Sequence, residues 1–256
     1  MDIDQIQHED DLLIVEDAAR AVEEHELIAY YQPIVDAGAD GVVGAEALVR
    51  YTMSDGTIVP AGLFVPALDR TDTIFGLDWY MAEEVCGYLQ GTQGTAACVP
   101  VSLNFSLRHA TMGDFAQTLV DTLQWHGVDH GQVRVELDCA ALLAQDAPVC
   151  AMVASVEAKG FHVVADNCAI NANDLRTLKE LGVCEAKLSQ AFWSAQSANS
   201  LAELVDAARQ RDIELSAGGV EDDEDRKALL AAGITRMQGF FFARPMDGDA
   251  LRDYCK

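Results

Sequence analysis

Hydrophobic and polar positions form alternating blocks along the chain, and these blocks predict strands and helices in turn. Short apolar runs that end in a polar residue predict buried strands, whereas apolar residues spaced three or four apart predict helices. The predicted strands cover residues 27–32, 42–48, 99–103, 133–137, 161–165, 185–188, 213–217 and 235–238. The predicted helices cover residues 12–24, a helix-rich stretch at 60–90, then 114–125, 147–159, 173–181 (with Asn173 as its cap), 198–209 and 222–232.

Helices separate most of the predicted strands, so the connections are long enough for parallel pairing. About eight strands in this order predict an α/β fold, a TIM-like (β/α)8 barrel. The division into domains follows from the same pattern. Residues 1–26 are an acidic N-terminal tail with a lead-in helix, and residues 27–256 form a single barrel domain.

The composition and net charge limit the kinds of partner that the protein can bind. Half of the 256 residues are hydrophobic, which is enough for the core of one large α/β domain. The formal net charge of −25 excludes a nucleic-acid polymer, because phosphate contacts need clustered Lys and Arg. A small anionic ligand is not excluded, because a metal ion or one well-placed Arg can hold it.

The N-terminus and the cysteines indicate a cytoplasmic protein. The segment MDIDQIQHEDD has neither a basic region nor an apolar core, so it does not read as a signal peptide. No apolar run approaches the roughly 18 residues of a membrane span, and we expect no membrane association. The seven cysteines are scattered without a CxxC motif, which is typical of reduced thiols rather than of a disulfide framework.

Polar residues with chemical potential close five of the predicted strands. They are Glu46, Asn104, Glu136, Asp166 and Lys187. In a parallel barrel the carboxyl ends of the strands meet at one rim, so these side chains should converge there. Carboxylate and amide oxygens without His or Cys suit a hard cation such as Mg²⁺, Mn²⁺ or Ca²⁺.

Nine segments in order resemble the motifs of the EAL domain family, the phosphodiesterases and receptors of the bacterial second messenger cyclic di-GMP. The match covers roughly residues 27–245, and its segments are YYQPIVD, GAEALVR, PAGLFVPALD, VSLNFS, VRVEL, VVADN, EAKLS, SAGGVED and MQGFFFARP. The resemblance implies a TIM-like barrel whose first strand runs antiparallel. It also makes a homodimer plausible.

The resemblance further implies a reaction and a set of site residues. In the family two divalent ions bridge a phosphate of cyclic di-GMP and activate a water that attacks phosphorus, giving linear pGpG. The implied metal ligands are Glu46, Asn104, Glu136 and Asp166. The implied groups near the attacking water are Lys187 and Glu221. The implied ligand contacts are Arg50 to a phosphate, Gln32 to a guanine or the nearby backbone, and Gln238 at the floor of the site.

The chain departs from the family pattern at four places. The second Asp of the metal-bridging pair is Asn167, and the Glu expected to act as general base is Gly218. The loop after Asp166 reads NCAIN in place of DFGTG, and the Glu that tethers this loop is Cys139. Loss of a general base alone typically slows a reaction 10²–10⁴-fold. We therefore interpret Lys187 and Glu221 as vestiges of a catalytic site.

The remaining charges predict how many metal ions the site can hold. Glu46, Glu136, Asp166 and Glu221 against Lys187 leave a net charge of −3. One divalent ion would leave −1, whereas two would leave +1. The sequence thus predicts one divalent ion, or none with some carboxyl groups protonated. In the alternative without metal, the strand-end residues hydrogen-bond to one another and to Lys187.

Two function classes remain open. The first is a non-catalytic signalling regulator that binds cyclic di-GMP or contacts a partner protein in trans. The second is a weak metal-dependent cyclic di-GMP phosphodiesterase that produces pGpG. Asn167 and Gly218 favour the first class.

Overall fold

The structure is a computed structural model that describes residues 15–24, 26–53 and 55–256. Its centre is a barrel of eight strands with a short additional strand, β3, on the outside. The strands are β1 Leu27–Asp36, β2 Gly41–Thr52, β3 Ile58–Pro60, β4 Val101–Asn104, β5 Val133–Asp138, β6 His162–Cys168, β7 Val183–Leu188, β8 Glu214–Ala217 and β9 Arg236–Met237. The eight predicted strands all exist, and β3 was not predicted.

The sheet closes because β1 pairs with both β2 and β9, and it is antiparallel to each of them. The strands from β2 through β4 to β9 pair in parallel. Only the turn at residues 37–40 separates β1 from β2. This turn is too short for the crossover that parallel pairing needs, so the two strands form an antiparallel hairpin. The predicted barrel with an antiparallel first strand is confirmed.

Helices cover the outside of the barrel. They are α1 at residues 15–23, α2 Val65–Leu68, α3 Thr73–Thr92, α4 Phe115–His126, α5 Cys139–Leu143, α6 Ala147–Ala158, α7 Ala172–Glu180, α8 Gln190–Trp193, α9 Ala198–Arg209, α10 Asp223–Ala232 and α11 Gly248–Tyr254. The short helices α5 and α8, as well as α11, were not predicted. The predicted start of the first helix at residue 12 lies outside the described residues.

One predicted cap is wrong by two residues. The side chain of Asn171, not that of Asn173, accepts hydrogen bonds from the backbone at the start of α7. Asp174 reaches back to the backbone N–H of Asn171. This reciprocal capping box satisfies donors that a helix leaves open at its N-terminus, and it moves the helix start back to Ala172.

Helix α1 packs on the barrel although it belongs to the predicted N-terminal tail. Its residues Ala18, Ala21 and Val22 are buried and join the same hydrophobic core as the barrel helices. Their spacing of three and four positions places them on one face of the helix.

Among the described residues, no helix is long and apolar enough to cross a membrane.

Strand β2 extends further than predicted. Glu46 was expected to close this strand, but β2 continues to Thr52 because it pairs with β1 on one side and with β3 on the other. Glu46 is therefore held in the middle of a long strand, and its carboxylate is buried inside the barrel mouth.

Candidate ligand site at the barrel mouth

The site is built around one buried ammonium group. The Nζ atom of Lys187 on β7 lies 2.7 Å from Oε2 of Glu136, 3.0 Å from Oε2 of Glu46 and 3.0 Å from Oδ1 of Asp166. The four side chains come from four different strands, as predicted for the rim of a parallel barrel. We call Glu46, Glu136, Asp166 and Lys187 the carboxylate cluster.

Two side-chain amides complete the cluster from neighbouring strands. Asn104, at the end of β4, donates from Nδ2 to Oε1 of Glu46 over 2.9 Å. Gln238, just after β9, donates from Nε2 to Oε2 of the same carboxylate, also over 2.9 Å. The predicted hydrogen-bonded network among the strand-end residues and Lys187 is therefore present.

The surroundings separate the pKa values of the two glutamates in the cluster. Burial, opposed in part by Lys187, raises the pKa of Glu136 to about 8. Burial also acts on Glu46, but Lys187 and the hydrogen bonds from Asn104 and Gln238 outweigh it and lower its pKa. Burial of Lys187 lowers its pKa, but the neighbouring carboxylates outweigh this effect and raise the pKa well above the usual value. The ammonium form of Lys187 is thus strongly stabilised.

The donor set has the chemistry of a site for one hard cation. One oxygen each from Glu46, Glu136 and Asp166 lies within 4.8 Å of the others, and carboxylate oxygens are the ligands that Mg²⁺, Mn²⁺ and Ca²⁺ prefer. These three residues would hold the ion, which would supply Lewis-acid stabilisation of a phosphate. The ammonium of Lys187 contacts each of the same three carboxylates.

A cavity of about 1020 Å³ opens beside the cluster. The cluster residues Glu46, Asp166 and Lys187 line it, together with residues from α2, α3 and the segment after β4. Ligand sites commonly enclose about 300–1,000 Å³, so this cavity is large enough for a dinucleotide. Asp69, Asp78 and Asp138 also line it, which makes its walls acidic.

Asn167 and Gly218 both line this cavity. Asn167 is exposed and has a backbone φ of 56°, a left-handed conformation that Asn tolerates better than most residues. It lies where the pairing of β6 with β7 shifts register, which marks a local bulge in the strand. A Cβ atom at Gly218 would meet only the carbonyl oxygen of Leu188, at 3.9 Å. The fold therefore has room for a side chain at residue 218.

Two predicted ligand contacts, Gln32 and Arg50, lie apart from the cluster. Gln32 pairs with Glu46 in register but donates its amide to the carbonyl of Ala243 over 3.0 Å. Arg50 is half-buried, donates to the carbonyl of Val49 over 2.8 Å and lies over the ring of Tyr30 at 5.8 Å. Among the described residues, neither belongs to the cavity lining.

Glu221 is the clearest departure from the predicted arrangement. Its side chain is exposed, and its backbone N–H donates to Asp225 over 3.0 Å. The next residue, Asp222, caps α10, and Glu221 is not among the residues that line the cavity. The charge count that included Glu221 is thus corrected: the cluster has three carboxylates and one ammonium.

A buried polar pair near the cavity was missed by the sequence analysis. Asp78 on α3 accepts from the backbone of Ser106 over 2.9 Å and contacts Nε2 of His109 at 3.0 Å. Burial raises the pKa of Asp78. The available signal was a single acid on the buried face of α3, next to Leu77 and one turn before Met81. This pair ties α3 to the segment after β4 and so shapes the cavity wall.

Cys139 occupies the position where the family pattern has a loop-tethering glutamate. Cys139 is buried at the start of α5, and its side chain hydrogen-bonds with Cys168 at the end of β6. Cys168 also donates to the carbonyl of Ala165 over 3.3 Å. Both cysteines are buried and belong to the hydrophobic core.

Comparisons with known proteins agree with this architecture. The sequence model of the EAL domain matches residues 15–245. The cyclic di-GMP phosphodiesterase RocR of Pseudomonas aeruginosa is 25% identical over 248 residues, which are 94% of this chain and 63% of RocR. An uncharacterized protein of Mycobacterium tuberculosis is 25% identical over 240 residues, 91% of this chain, and the match spans only 38% of that relative's length.

Solved structures share the fold. A Pseudomonas aeruginosa MucR phosphodiesterase in complex with cyclic di-GMP has a TM-score of 0.84 at 22% identity and covers 93% of this chain and 99% of its own. The FimX EAL domain of the same organism, bound to cyclic di-GMP, has a TM-score of 0.80 at 15% identity and covers 91% and 96%. A match to the family over most of the chain, on a barrel with this acidic mouth, shows that the chain belongs to the EAL domain family.

Proposed function

We propose that this EAL domain is a catalytically silent signalling domain that binds cyclic di-GMP at the barrel mouth. One observation carries the proposal: the ammonium of Lys187 bonds all three carboxylates of the cluster, while residues 167 and 218 offer no carboxylate. The site keeps its cavity and lacks groups that hydrolysis requires.

Hydrolysis is disfavoured for two physical reasons. A water that attacks phosphorus needs a group to accept its proton, and Gly218 has no side chain for this role. The amide of Asn167 is exposed and carries no charge to hold a second metal ion. Loss of a general base alone slows a reaction by about 10²–10⁴-fold.

Nucleotide binding is supported by the size of the cavity and by the relatives that carry cyclic di-GMP in solved structures. Cyclic di-GMP is a dianion, so its binding in a cavity with acidic walls requires a positively charged group. Arg50 lies on the same strand as Glu46, four positions on, and therefore on the same face. Its contacts to Val49 and Tyr30 are modest, so the guanidinium can turn towards a phosphate.

Titration calorimetry with cyclic di-GMP tests this proposal. The wild type should bind with a dissociation constant in the micromolar range, about −8 kcal/mol at 1 μM. Arg50→Ala should lose about 1.5–3 kcal/mol, the range for a hydrogen bond to a charged group. The matched control Arg209→Ala removes an exposed guanidinium on α9 and should bind like the wild type.

The two unfavourable outcomes have different meanings. If no binding occurs with or without Mg²⁺, the receptor proposal fails and a protein-interaction domain remains. If binding is indifferent to Arg50→Ala, the ligand lies elsewhere than proposed.

A turnover assay separates this proposal from the alternative of a weak phosphodiesterase. With Mg²⁺ or Mn²⁺, the wild type should produce pGpG no faster than Glu46→Ala. The double substitution Asn167→Asp with Gly218→Glu should raise turnover on the order of 10²-fold. It restores a charged ligand at residue 167 and a base at residue 218, where the backbone has room. Metal-dependent turnover of the wild type that Glu46→Ala abolishes would instead establish the enzyme.

A further inference from the structure

Lys187 occupies the position that a metal ion would need. Its Nζ atom contacts one oxygen each of Glu136, Glu46 and Asp166 at 2.7–3.0 Å. A bound Mg²⁺ or Ca²⁺ lies about 2.0–2.6 Å from its carboxylate oxygens. An ion on the same three oxygens would therefore sit within about 4 Å of the ammonium.

The carboxylates of the cluster already have hydrogen-bond or ion-pair partners without an added ion. Glu46 has both oxygens engaged, Oε1 by Asn104 and Oε2 by Lys187 and Gln238. Glu136 is buried and receives the shortest contact from Lys187. A metal ion must break these bonds and also face a neighbouring positive charge at low local dielectric, where like charges repel strongly.

Lys187 has little freedom to move aside. It lies within β7, whose backbone pairs with β6 and with β8, and its side chain is buried. Leaving the three carboxylates would require the ammonium to find another partner within the barrel mouth or to extend towards the cavity that it lines. Either movement costs free energy that a bound ion has to supply.

We propose that Lys187 is the built-in cation of this site and competes with divalent metal ions for the carboxylates of Glu46, Glu136 and Asp166. The side chain thereby sets the metal affinity of the domain. The cluster keeps a carboxylate set suited to one ion, and the lysine makes ion binding weak. This inference concerns the cation alone and holds whether or not a nucleotide binds.

Calorimetric titration with Mn²⁺ in the absence of nucleotide tests the competition. Lys187→Gln removes the charge but keeps a hydrogen-bond donor, and it should bind Mn²⁺ on the order of tenfold more tightly than the wild type. The same substitution at an exposed lysine, Lys227→Gln on α10, should leave the affinity unchanged. A second change, Glu46→Gln added to Lys187→Gln, should abolish the gain.

A thermal melt gives an independent readout. Mn²⁺ should raise the melting temperature of Lys187→Gln more than that of the wild type, because an ion that binds the native state stabilises it by mass action. Equal Mn²⁺ affinity in the wild type and Lys187→Gln would overturn the proposal.

If Lys187→Gln does not fold, wild-type crystals soaked in Mn²⁺ provide a second test. The anomalous signal locates any bound ion. An ion in the cluster with the ammonium moved away from Glu46 and Glu136 supports competition, as does the absence of an ion. An ion bound while Lys187 still contacts all three carboxylates would overturn the proposal.

Discussion

Glu46 and Glu136 contact the same ammonium group, yet their surroundings move their pKa values in opposite directions. Glu46 receives hydrogen bonds from Asn104, Lys187 and Gln238, which stabilise its ionised form. Glu136 has the bond from Lys187, and its burial together with the charges of Glu46 and Asp166 favours the protonated form. The difference lies in the number of donors that each strand position offers.

This difference predicts how stability changes with pH. The pKa of Glu136 rises from 4.5 to about 8 on folding, so between these values the folded protein binds the extra proton. Its contribution to stability is complete below about 4.5 and is lost as the pH rises through about 8. Glu46 has a lowered pKa and acts oppositely, in the acid range.

Melting temperatures measured from about pH 5 to about pH 9 check this prediction. The wild type should lose stability across this range. Glu136→Gln, which mimics the protonated carboxyl, should show a flatter profile. A wild-type profile that rises across the same range would contradict the raised pKa.

At the scale of elements, Gly239 allows the chain after β9 to pack closely against the loop after β8. A Cβ atom on Gly239 would lie 2.0 Å from the carbonyl oxygen of Val220. The two segments are also joined by backbone hydrogen bonds, from Val220 to Gln238 and from Phe241 to Val220. This close approach holds Gln238 where its amide reaches Glu46.

Gly239→Ala should therefore destabilise the domain at the upper end of the 1–3 kcal/mol range or beyond, because the clash is with backbone. Gly41→Ala is the matched control, since a Cβ atom there meets nothing within 4 Å. The control should change stability by less than about 0.5 kcal/mol. Urea unfolding of both variants measures the difference, and equal midpoints would refute the packing argument.

At the scale of the whole molecule, the net charge of −25 opposes the compact state. Like charges on a folded surface repel, and salt screens exposed charges more than buried pairs. The exposed ion pairs on α10 and α11 are individually weak. Self-repulsion should thus outweigh surface pairing in this protein.

Sodium chloride should accordingly raise the melting temperature between about 0.05 and about 0.5 M, where the Debye length shortens several-fold. Chloride is preferred to sulfate, which stabilises proteins by exclusion from their surface. Potassium chloride at equal ionic strength should give the same rise, because screening depends on ionic strength and not on the cation. A melting temperature that falls with sodium chloride would mean that the surface ion pairs dominate.

The order of strands and helices was determined by the sequence alone, because periods of two and of 3.6 residues reflect which side of each element is buried. The same pattern predicted that Glu46, Asn104, Glu136, Asp166 and Lys187 would converge, since strand ends of a parallel barrel meet at one rim. Short pieces such as β3, α5 and α8 escaped prediction because they contain too few residues to show a period.

Only the tertiary structure decided which of these polar groups bond to one another. Glu221 and Gln238 both follow strands, yet Glu221 is exposed next to the cap of α10. The contact of Gly239 with Val220 holds Gln238 on Glu46. The pairing of Asp78 with His109 depends on α3 packing against a segment about 30 residues away. The central place of Lys187 likewise depends on distances among four strands, which a sequence pattern predicts as a neighbourhood but not as a set of bonds.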